Sequence, residues 1–162
     1  TGAAQFMRDA RILPIYEGTN AIQANDFMFR KTLKDNGKTA REFLEEIKVE
    51  CAHNQEMSSM ITLTLNTLNF ILENRDNPEM LSCISFDYMM GFGYLIGGWL
   101  MHKGKVKAKL KLSEKSQNDN FLKSKIISAE FFDFHILPRV ESHFKIVTKG
   151  ATIVQSTNDS FI

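Results

Sequence analysis

Glu17 is the residue of this sequence whose neighbours best suit general acid–base chemistry. It stands beside Gly18, just before Thr19, which can open an amphipathic helix. A glycine at such a bend lets the backbone approach a ligand closely. The apolar side chains that can surround the carboxyl are those of Ile12, Leu13, Ile15 and Tyr16. Because apolar surroundings raise the pKa of a carboxyl, Glu17 is a candidate general base.

The same position allows a purely structural interpretation of Glu17. An acidic residue just ahead of a helix is stabilised by the positive end of the helix dipole, and such a residue is commonly exposed on the surface. Residue type and spacing taken alone favour this second interpretation.

A longer stretch of sequence around Glu17 favours the catalytic interpretation. The segment RDARILPIYEGTNAIQ, followed by Arg30 and Lys31, resembles the C-terminal signature of the flavin-dependent acyl-CoA dehydrogenases. The preceding TGAAQFMRDAR resembles one branch of that family, the methylthiopropanoyl-CoA dehydrogenase-like enzymes with an additional C-terminal helical domain. The motif match covers roughly the first fifth of the chain, and the similarity over the remainder is one of helical pattern.

The resemblance implies a role for each residue of the turn. Glu17 would accept the α-proton of an acyl-CoA while a hydride leaves the β-carbon for FAD, which yields a trans-2-enoyl-CoA. Gly18 would leave room for the thioester. In that family the backbone N–H of the same glutamate and a flavin ribityl hydroxyl stabilise the developing negative charge. The positions that contact FAD in relatives are Thr19, Asn20 and Ala21.

The resemblance also implies partners and a division into domains. We expect an acyl-CoA substrate, an electron-transfer flavoprotein or similar acceptor, and a homo-oligomer. Residues 1–36 would end the dehydrogenase's own helical domain, and residues 37–162 would form the additional helical bundle, with the boundary in the polar stretch KDNGK. Since the regions that hold most of the flavin in relatives are not in this sequence, we expect the chain alone to bind FAD weakly or not at all.

Composition agrees with a cytoplasmic globular protein. The net charge of +1 disfavours a protein dedicated to nucleic acid or anionic membranes. Cys51 and Cys83 have no metal-ligand spacing, and we expect reduced, buried thiols. The apolar stretch 84–101 contains Asp87 and four glycines, so we interpret it as a core helix and not as a membrane span.

Apolar spacing predicts an all-α fold, beginning with the helix that positions the turn. Residues 1–9 should end a helix with Phe6 and Met7 buried. Thr19 should cap a helix that runs to about residue 36 and stops at Gly37. The apolar face of that helix should consist of Ile22, Phe27, Phe29 and Leu33.

Three further helical stretches should build the bundle. Thr39 and Glu42 have capping-box spacing ahead of a stripe formed by Phe43, Leu44, Ile47 and Cys51. A second stripe contains Met57, Met60, Ile61, Leu65, Leu68, Ile71 and Leu72. Asn77 and Pro78 then give an N-cap and a first-turn proline to a helix reaching at least Met101. Its glycines at 91, 93, 97 and 98 predict close packing against another element.

The C-terminal third is less strongly patterned. In residues 103–115 lysine alternates with small or apolar residues, which favours a strand or exposed arm by period, whereas the resembled domain would continue a helix. Asp119 or Asn120 should cap a last helix that reaches Gly150 and is kinked at Pro138. Its stripe contains Leu122, Ile126, Ala129, Phe132, Ile136, Val140, Phe144 and Val147. Residues 151–162 should form a short helical turn or a frayed end.

The histidines give no convincing second site. Those at 53, 102, 135 and 143 lack the spacing of a common metal site, so we predict surface or core roles for them and no metal. Two alternatives to the enzyme stay open. The chain can be a helical interaction or oligomerisation module, or it can be an inactive remnant of a dehydrogenase.

Overall fold

A computed structural model of the chain describes residues 2–13, 19–114, 119–150 and 156, and within these ranges every regular element is a helix. This confirms the all-α prediction. The elements are α1 (Ala3–Ala10), α2 (Asn20–Asn25), a π-helical segment (Asp26–Leu33) that continues α2, α3 (Lys38–Glu50), α4 (Gln55–Glu73), α5 (Pro78–Ser113), α6 (Asp119–His135) and α7 (Arg139–Lys149). None of these helices combines the length and the apolarity that crossing a bilayer requires.

Helix α5 is the axis of the bundle. It packs against α6 and α7 on one side and against α2, the π-helical segment and α4 on others, while α3 packs on α4. Side chains from all of these elements except α1, α2 and α6 meet in one buried apolar cluster. Its members include Met28, Leu44, Ile47, Met57, Ile61, Leu68, Leu81, Tyr88, Leu95, Val140 and Phe144.

Helix boundaries follow the predicted stop and start residues at two places. Gly37 has a φ of +72°, a conformation that glycine adopts without strain, and its N–H donates to the Thr32 carbonyl at 2.8 Å to end the preceding helix. Asn77 Oδ1 accepts from the Met80 N–H at 3.2 Å, and Pro78 is the first residue of α5. These residues confirm the stop at Gly37 and the Asn77 cap.

One prediction for the N-terminal region is wrong, and a second one holds only in part. Phe6 and Met7 are 76% and 71% exposed, because α1 has no extensive contact with another described helix and buries none of its eight residues. The predicted apolar face of the next helix is also displaced, since Ala24, Met28 and Thr32 are its buried side chains and Ile22 is exposed. Phe27, Phe29 and Leu33 are partly buried beside that stripe. The wider π-helical turn shifts which residues share a face.

The predicted capping box at Thr39 is wrong as well. Helix α3 begins one residue earlier, at Lys38, so Thr39 already lies in the first turn. Its N–H and its hydroxyl both donate to Asp35 Oδ2, at 3.0 and 2.6 Å. These hydrogen bonds lower the pKa of the Asp35 carboxyl. Asp35 therefore caps α3 from across the Gly37 turn. The domain division at residue 36 stays a prediction.

The lysine-rich stretch continues α5 without interruption to Ser113, so the helical alternative is confirmed and the strand-like period is misleading. Lysines two apart lie on different faces of a helix, and two of them find separate carboxylates. Lys103 Nζ lies 3.0 Å from Glu50, on α3, and Lys105 Nζ lies 3.3 Å from Glu130, on α6. Ion pairs between side chains therefore connect this stretch of α5 to α3 and α6.

The last predicted helix is divided in two by Pro138. A turn at residues 136–138 separates α6 from α7, and the Leu137 N–H donates to the Phe132 carbonyl at 2.9 Å. A proline inside the pattern removes a helical donor, and here the result is a break and not the predicted kink. Leu137 is buried at the break, whereas Ile136, Ile126 and Phe132 are only partly buried. Within the predicted C-terminal turn, only residue 156 is among the described residues.

Two of the α5 glycines, Gly91 and Gly97, leave room for aromatic rings and not for another backbone. A Cβ at Gly91 would overlap the Phe144 ring, and one at Gly97 would lie 2.9 Å from Phe132 Cζ. At Gly93 no described residue comes within 4 Å of that position, so the expectation of close packing is wrong there. Both cysteines are free thiols as expected, but only Cys51 is buried and Cys83 is exposed.

Candidate functional site

The predicted catalytic turn lies partly within the described residues. Glu17 and Gly18 lie outside them, and Thr19, Asn20 and Ala21 follow directly. Thr19 Oγ1 accepts a hydrogen bond from the Ile22 N–H at 3.3 Å, which confirms Thr19 as the N-cap of α2. All three described residues are exposed, so their side chains are free to contact a group outside this chain. Their roles toward FAD stay predictions.

Buried contacts fix the helix that follows the turn. The Thr32 hydroxyl donates to the Phe27 carbonyl at 3.0 Å and lies 3.3 Å from the Tyr88 hydroxyl on α5. Burial raises the pKa of Tyr88, which keeps this phenol neutral and able to hydrogen-bond. The Ser82 hydroxyl donates to Asn25 Oδ1 at 3.0 Å, nearer the start of the helix. The scaffold for Thr19 is therefore held on the bundle at several points.

The apolar walls predicted around Glu17 are only partly described. Ile12 and Leu13 are exposed, as is Ile22 on the other side of the turn, while Ile15 and Tyr16 lie outside the described residues. Exposed large apolar side chains at several nearby sequence positions are typical of a surface that another polypeptide or a ligand covers. No other described residue covers these three side chains.

A second candidate site is a polar cleft beside the C-terminal half of α5. It has a volume of about 450 Å³ and lies between the start of α4, the C-terminal half of α5 and the end of α6. We call it the Asp133 cleft. Its lining residues are His53, Asn54, Glu56, His102, Lys105, Val106, Lys109, Glu130, Asp133 and Phe134.

Asp133 is the most deeply buried acid of this cleft. It is only 7% exposed, and its Oδ2 lies 3.7 Å from Lys105 Nζ, which also approaches Glu130 at 3.3 Å. Burial raises the pKa of Asp133, and Lys105 offsets part of that rise. No described residue donates a hydrogen bond to the other oxygen, Oδ1, which is also buried. Such an acceptor is costly because it has lost its hydration without gaining a partner.

Two of the histidines, His102 and His143, have polar partners in the described part of the chain. His102 Nδ1 lies 3.3 Å from the amide nitrogen of Asn54, whose oxygen caps α4. His143 Nδ1 lies 2.7 Å from Asp87 Oδ1 and its ring stacks on Tyr94. No three of the described histidines, cysteines and acids are arranged to hold a metal ion.

Sequence reasoning missed Asp133 and Lys105, although a signal for each was present. Asp133 falls on the stripe that includes Ala129, at a position where the other members are apolar. A charged residue at a core position of an amphipathic pattern requires a partner. Lys105 lies three residues after His102 and four before Lys109, which places all three on one face of a helix. The spacing is visible once residues 103–113 are known to be helical.

The chain matches one known family along most of its length. Residues 29–157 match the profile of the family described as acetyl-CoA dehydrogenase C-terminal like. That match begins after Glu17, Gly18 and the three predicted FAD-contacting residues.

Comparison with individual proteins extends the similarity to the N-terminal end. The chain is 34% identical to the 3-methylmercaptopropionyl-CoA dehydrogenase of Ruegeria pomeroyi over 97% of its length and 29% of that relative. It is 28% identical to the broad-specificity linear acyl-CoA dehydrogenase FadE5 of Mycobacterium tuberculosis, over 88% of the chain and 26% of the relative. A butyryl-CoA dehydrogenase of Syntrophomonas wolfei is 27% identical over 92% of the chain and 27% of the relative. The chain therefore spans less than a third of the length of these relatives.

Proposed function

The chain belongs to the acetyl-CoA dehydrogenase C-terminal-like family, and on that premise we propose that it forms the C-terminal part of an FAD-dependent acyl-CoA dehydrogenase. The observation that carries the proposal is the alignment of nearly the whole chain with a dehydrogenase that acts on an acyl-CoA. Residues 1–36 contribute the end of the catalytic domain in this proposal, and residues 37–162 form the additional helical bundle. The complete enzyme acts in the cytoplasm.

In this proposal Glu17 accepts the proton from the α-carbon of the acyl thioester. Removing a weakly acidic carbon-bound proton needs a base with a raised pKa, which a carboxylate in apolar surroundings provides. Gly18 has no side chain and leaves room for the thioester. The backbone N–H of Glu17 donates to the thioester oxygen as negative charge develops there. FAD supplies the hydride acceptor when it is bound in the longer protein.

The residues proposed to contact FAD have the exposure that this role needs. Thr19, Asn20 and Ala21 are all exposed at the start of α2, and the Thr32 and Asn25 hydrogen bonds hold that helix on the bundle. A fixed helix with accessible first residues suits a contact with a cofactor held mainly by other polypeptide. The isolated chain supplies few such contacts, so we propose weak or no FAD binding by it alone.

The test uses the longer protein that contains this chain. Glu17→Gln keeps the size of the side chain and removes its basicity, so kcat for acyl-CoA oxidation should fall by about 10²–10⁴-fold while the flavin absorbance is retained. The matched control is Glu46→Gln, which makes the same change at an exposed position of α3 and should leave kcat unchanged. Undiminished turnover in Glu17→Gln, or a longer protein that binds no flavin, would overturn the proposal.

We propose that the complete enzyme takes an acyl-CoA substrate, passes its electrons to an electron-transfer flavoprotein or a similar acceptor, and is a homo-oligomer. The names of the relatives support the substrate class, since each is called a dehydrogenase of one acyl-CoA or of linear acyl-CoAs. Kinetics with a series of acyl-CoA thioesters, each with purified electron-transfer flavoprotein, would test substrate and acceptor together.

A second candidate function is that of an interaction or oligomerisation module without enzymatic activity. Helix α6 supports it, because four large apolar side chains on that helix are exposed: Phe121, Ile127, Phe131 and Phe134. Surfaces of this kind commonly mark contacts with other proteins. A longer protein that is colourless, inactive and oligomeric would favour the module or an inactive remnant over the enzyme.

A further inference from the structure

A buried pair of hydroxyl groups joins the helix after the proposed catalytic turn to the axis of the bundle. Thr32 Oγ1 lies 3.3 Å from the Tyr88 hydroxyl, and both side chains are buried. We propose that Tyr88, acting through Thr32, is a positioning residue that fixes the rotation of α2 about its axis, and with it the placement of the residues proposed to contact FAD. This inference deepens the proposed dehydrogenase function and rests on it.

The two hydroxyls form a directed chain of hydrogen bonds. The Thr32 hydroxyl donates its single proton to the Phe27 carbonyl at 3.0 Å, so in the 3.3 Å contact the Tyr88 hydroxyl is the donor and Thr32 Oγ1 the acceptor. Each of these groups depends on the next, because a buried donor or acceptor without a partner is costly. Tyr88 thus holds Thr32, and Thr32 holds the carbonyl five residues before it.

The Phe27 carbonyl belongs to the π-helical segment, whose wide turn determines which side of the helix faces α5. Ala24, Met28 and Thr32 are buried at intervals of four residues. In an α-helix with about 3.6 residues per turn, each step of four residues adds a rotation of about 40°, so the first and third of these residues would differ by about 80°. The wider π-helical turn keeps all three in line. If the segment relaxed to an α-helix with Thr32 still on Tyr88, Ala24 and the residues before it would rotate away from α5.

The other described contacts of α2 resist this rotation less. Among the six residues of α2 only Ala24 is buried. The Ser82 hydroxyl donates to Asn25 Oδ1 at 3.0 Å, but Ser82 is exposed, and a hydrogen bond at the surface exchanges readily with water. The Phe27 ring packs on Tyr88, which holds the segment close to α5, but apolar attraction has no preferred direction. The buried hydroxyl chain is therefore the main directional constraint.

Helix α2 transmits this constraint to the proposed catalytic turn. Thr19 caps α2 and follows Glu17 by two residues, so a rotation of α2 moves the proposed base and the proposed FAD contacts together. A displacement of about 1 Å at a reacting group can reduce a rate by about 10²-fold. Loss of the hydroxyl chain should therefore lower kcat. KM for the acyl-CoA should change little, because in the proposed enzyme most of the substrate is held by polypeptide outside this chain.

The first test measures kinetics and the flavin spectrum of the longer protein that contains this chain. Thr32→Val keeps the shape of the side chain and removes both hydrogen bonds, so kcat should fall by about tenfold or more, KM should change by less than about twofold, and the visible flavin absorbance should shift. Tyr88→Phe removes only the first donor and should lower kcat by a smaller factor. Thr32→Ser keeps the hydroxyl and should retain nearly full kcat.

The matched control is Tyr94→Phe. It also removes a phenol hydroxyl from α5, but this hydroxyl accepts from Arg139 on α7 and does not contact α2. Both kcat and the flavin spectrum should stay unchanged in this variant.

The second test follows amide hydrogen exchange in the same proteins by mass spectrometry. In Thr32→Val, exchange in peptides that cover residues 20–33 should be at least about fivefold faster than in the unsubstituted protein, and exchange in α4 and α7 should be unchanged. A role in overall stability alone would instead raise exchange in all of these helices together.

Three results would overturn the inference and leave the proposed function standing. These are unchanged kcat and flavin spectrum in folded Thr32→Val while Glu17→Gln is inactive, equal increases of exchange in all helices, and equal losses of kcat in Tyr88→Phe and Tyr94→Phe. An unsubstituted longer protein that binds no flavin would overturn the proposed function itself, and this inference with it.

Discussion

The two halves of α5 are held in the protein by different interactions. From residue 78 to residue 98 the helix buries large apolar and aromatic side chains, among them Leu81, Ile84, Tyr88, Phe92 and Leu95. From residue 99 to residue 113, a stretch described in full, only Ala108 is buried. This second half instead carries five lysines, and two of them pair with carboxylates on α3 and α6.

The difference separates apolar packing from charge pairing along one helix. In the first half Tyr88 and Phe92 pack on Phe27, with ring centroids 5.2 and 5.3 Å apart, and so hold the helix that follows the proposed catalytic turn. Tight apolar packing of this kind leaves little space for ligands. In the second half the sparse packing leaves the Asp133 cleft between helices that charge pairs connect. We therefore expect substitutions in the two halves to have unequal effects on stability.

Truncating an aromatic ring on each side of this division should give the largest contrast. Phe144 is fully buried and lies 6.4 Å from Tyr88 between ring centroids, so Phe144→Ala should lower the free energy of unfolding by about 3–5 kcal/mol. Phe131 on α6 is 56% exposed, and Phe131→Ala should change the free energy of unfolding by about 0.5 kcal/mol or less. Urea denaturation of both variants measures the contrast. Similar losses in the two variants would contradict the division.

Adding one methyl group to α5 should give the next largest effect. A Cβ at Gly91 would overlap the Phe144 ring, so Gly91→Ala should lower the free energy of unfolding by about 1–3 kcal/mol. Gly93 and Gly104 have open space at the same position among the described residues. Alanine at either site should raise the free energy of unfolding by about 0.5–1 kcal/mol, because alanine loses less backbone entropy than glycine when a helix forms.

Thermal denaturation would test the predicted loss of stability in Gly91→Ala and the predicted gains in Gly93→Ala and Gly104→Ala. Gly93 is the sharper control, since it lies only two residues from Gly91 in the same helix. If Gly91→Ala were as stable as Gly93→Ala, the Phe144 ring would have to move without cost, and the dense packing assigned to the first half would be wrong.

Much of the fold was predictable, because several boundaries depend on local chemistry. Thr19, Asn77 with Pro78, and Gly37 act where their residue types indicate, as caps and stops that need only neighbouring backbone. Burial was harder to predict, since it depends on partners. Phe6 and Met7 have the spacing of a buried face, but α1 has no extensive contact with another described helix. The period of the lysine-rich stretch was misleading because lysines two apart lie on two different faces of a helix, where they pair with separate neighbours.

The candidate sites likewise differ in how far their own sequence segments predict them. Thr19 as a helix cap was predictable from its own segment, and the roles of Glu17 to Ala21 in catalysis stay predictions that rest on family resemblance. The Asp133 cleft was not predicted, because it joins residues from three helices whose arrangement no short motif determines. His102, Lys105 and Lys109 share a face only if α5 continues past Met101, and the sequence left that open.

The pH dependence of stability should show the smallest effect, and it concerns the second half of α5. Burial holds the pKa of Asp133 above 3.8 in the folded state, so between 3.8 and that raised value the folded protein binds more protons than the unfolded chain. The contribution of Asp133 to stability is therefore most favourable below pH 3.8 and is lost as the pH rises through the folded pKa. Lys105 offsets part of the loss. Asp133→Asn cannot titrate, so its stability relative to the unsubstituted protein should increase between about pH 3 and about pH 7, as urea denaturation at both values would measure. A difference that stays constant or decreases would mean that the charge pairs of this half compensate the burial of the Asp133 carboxylate fully.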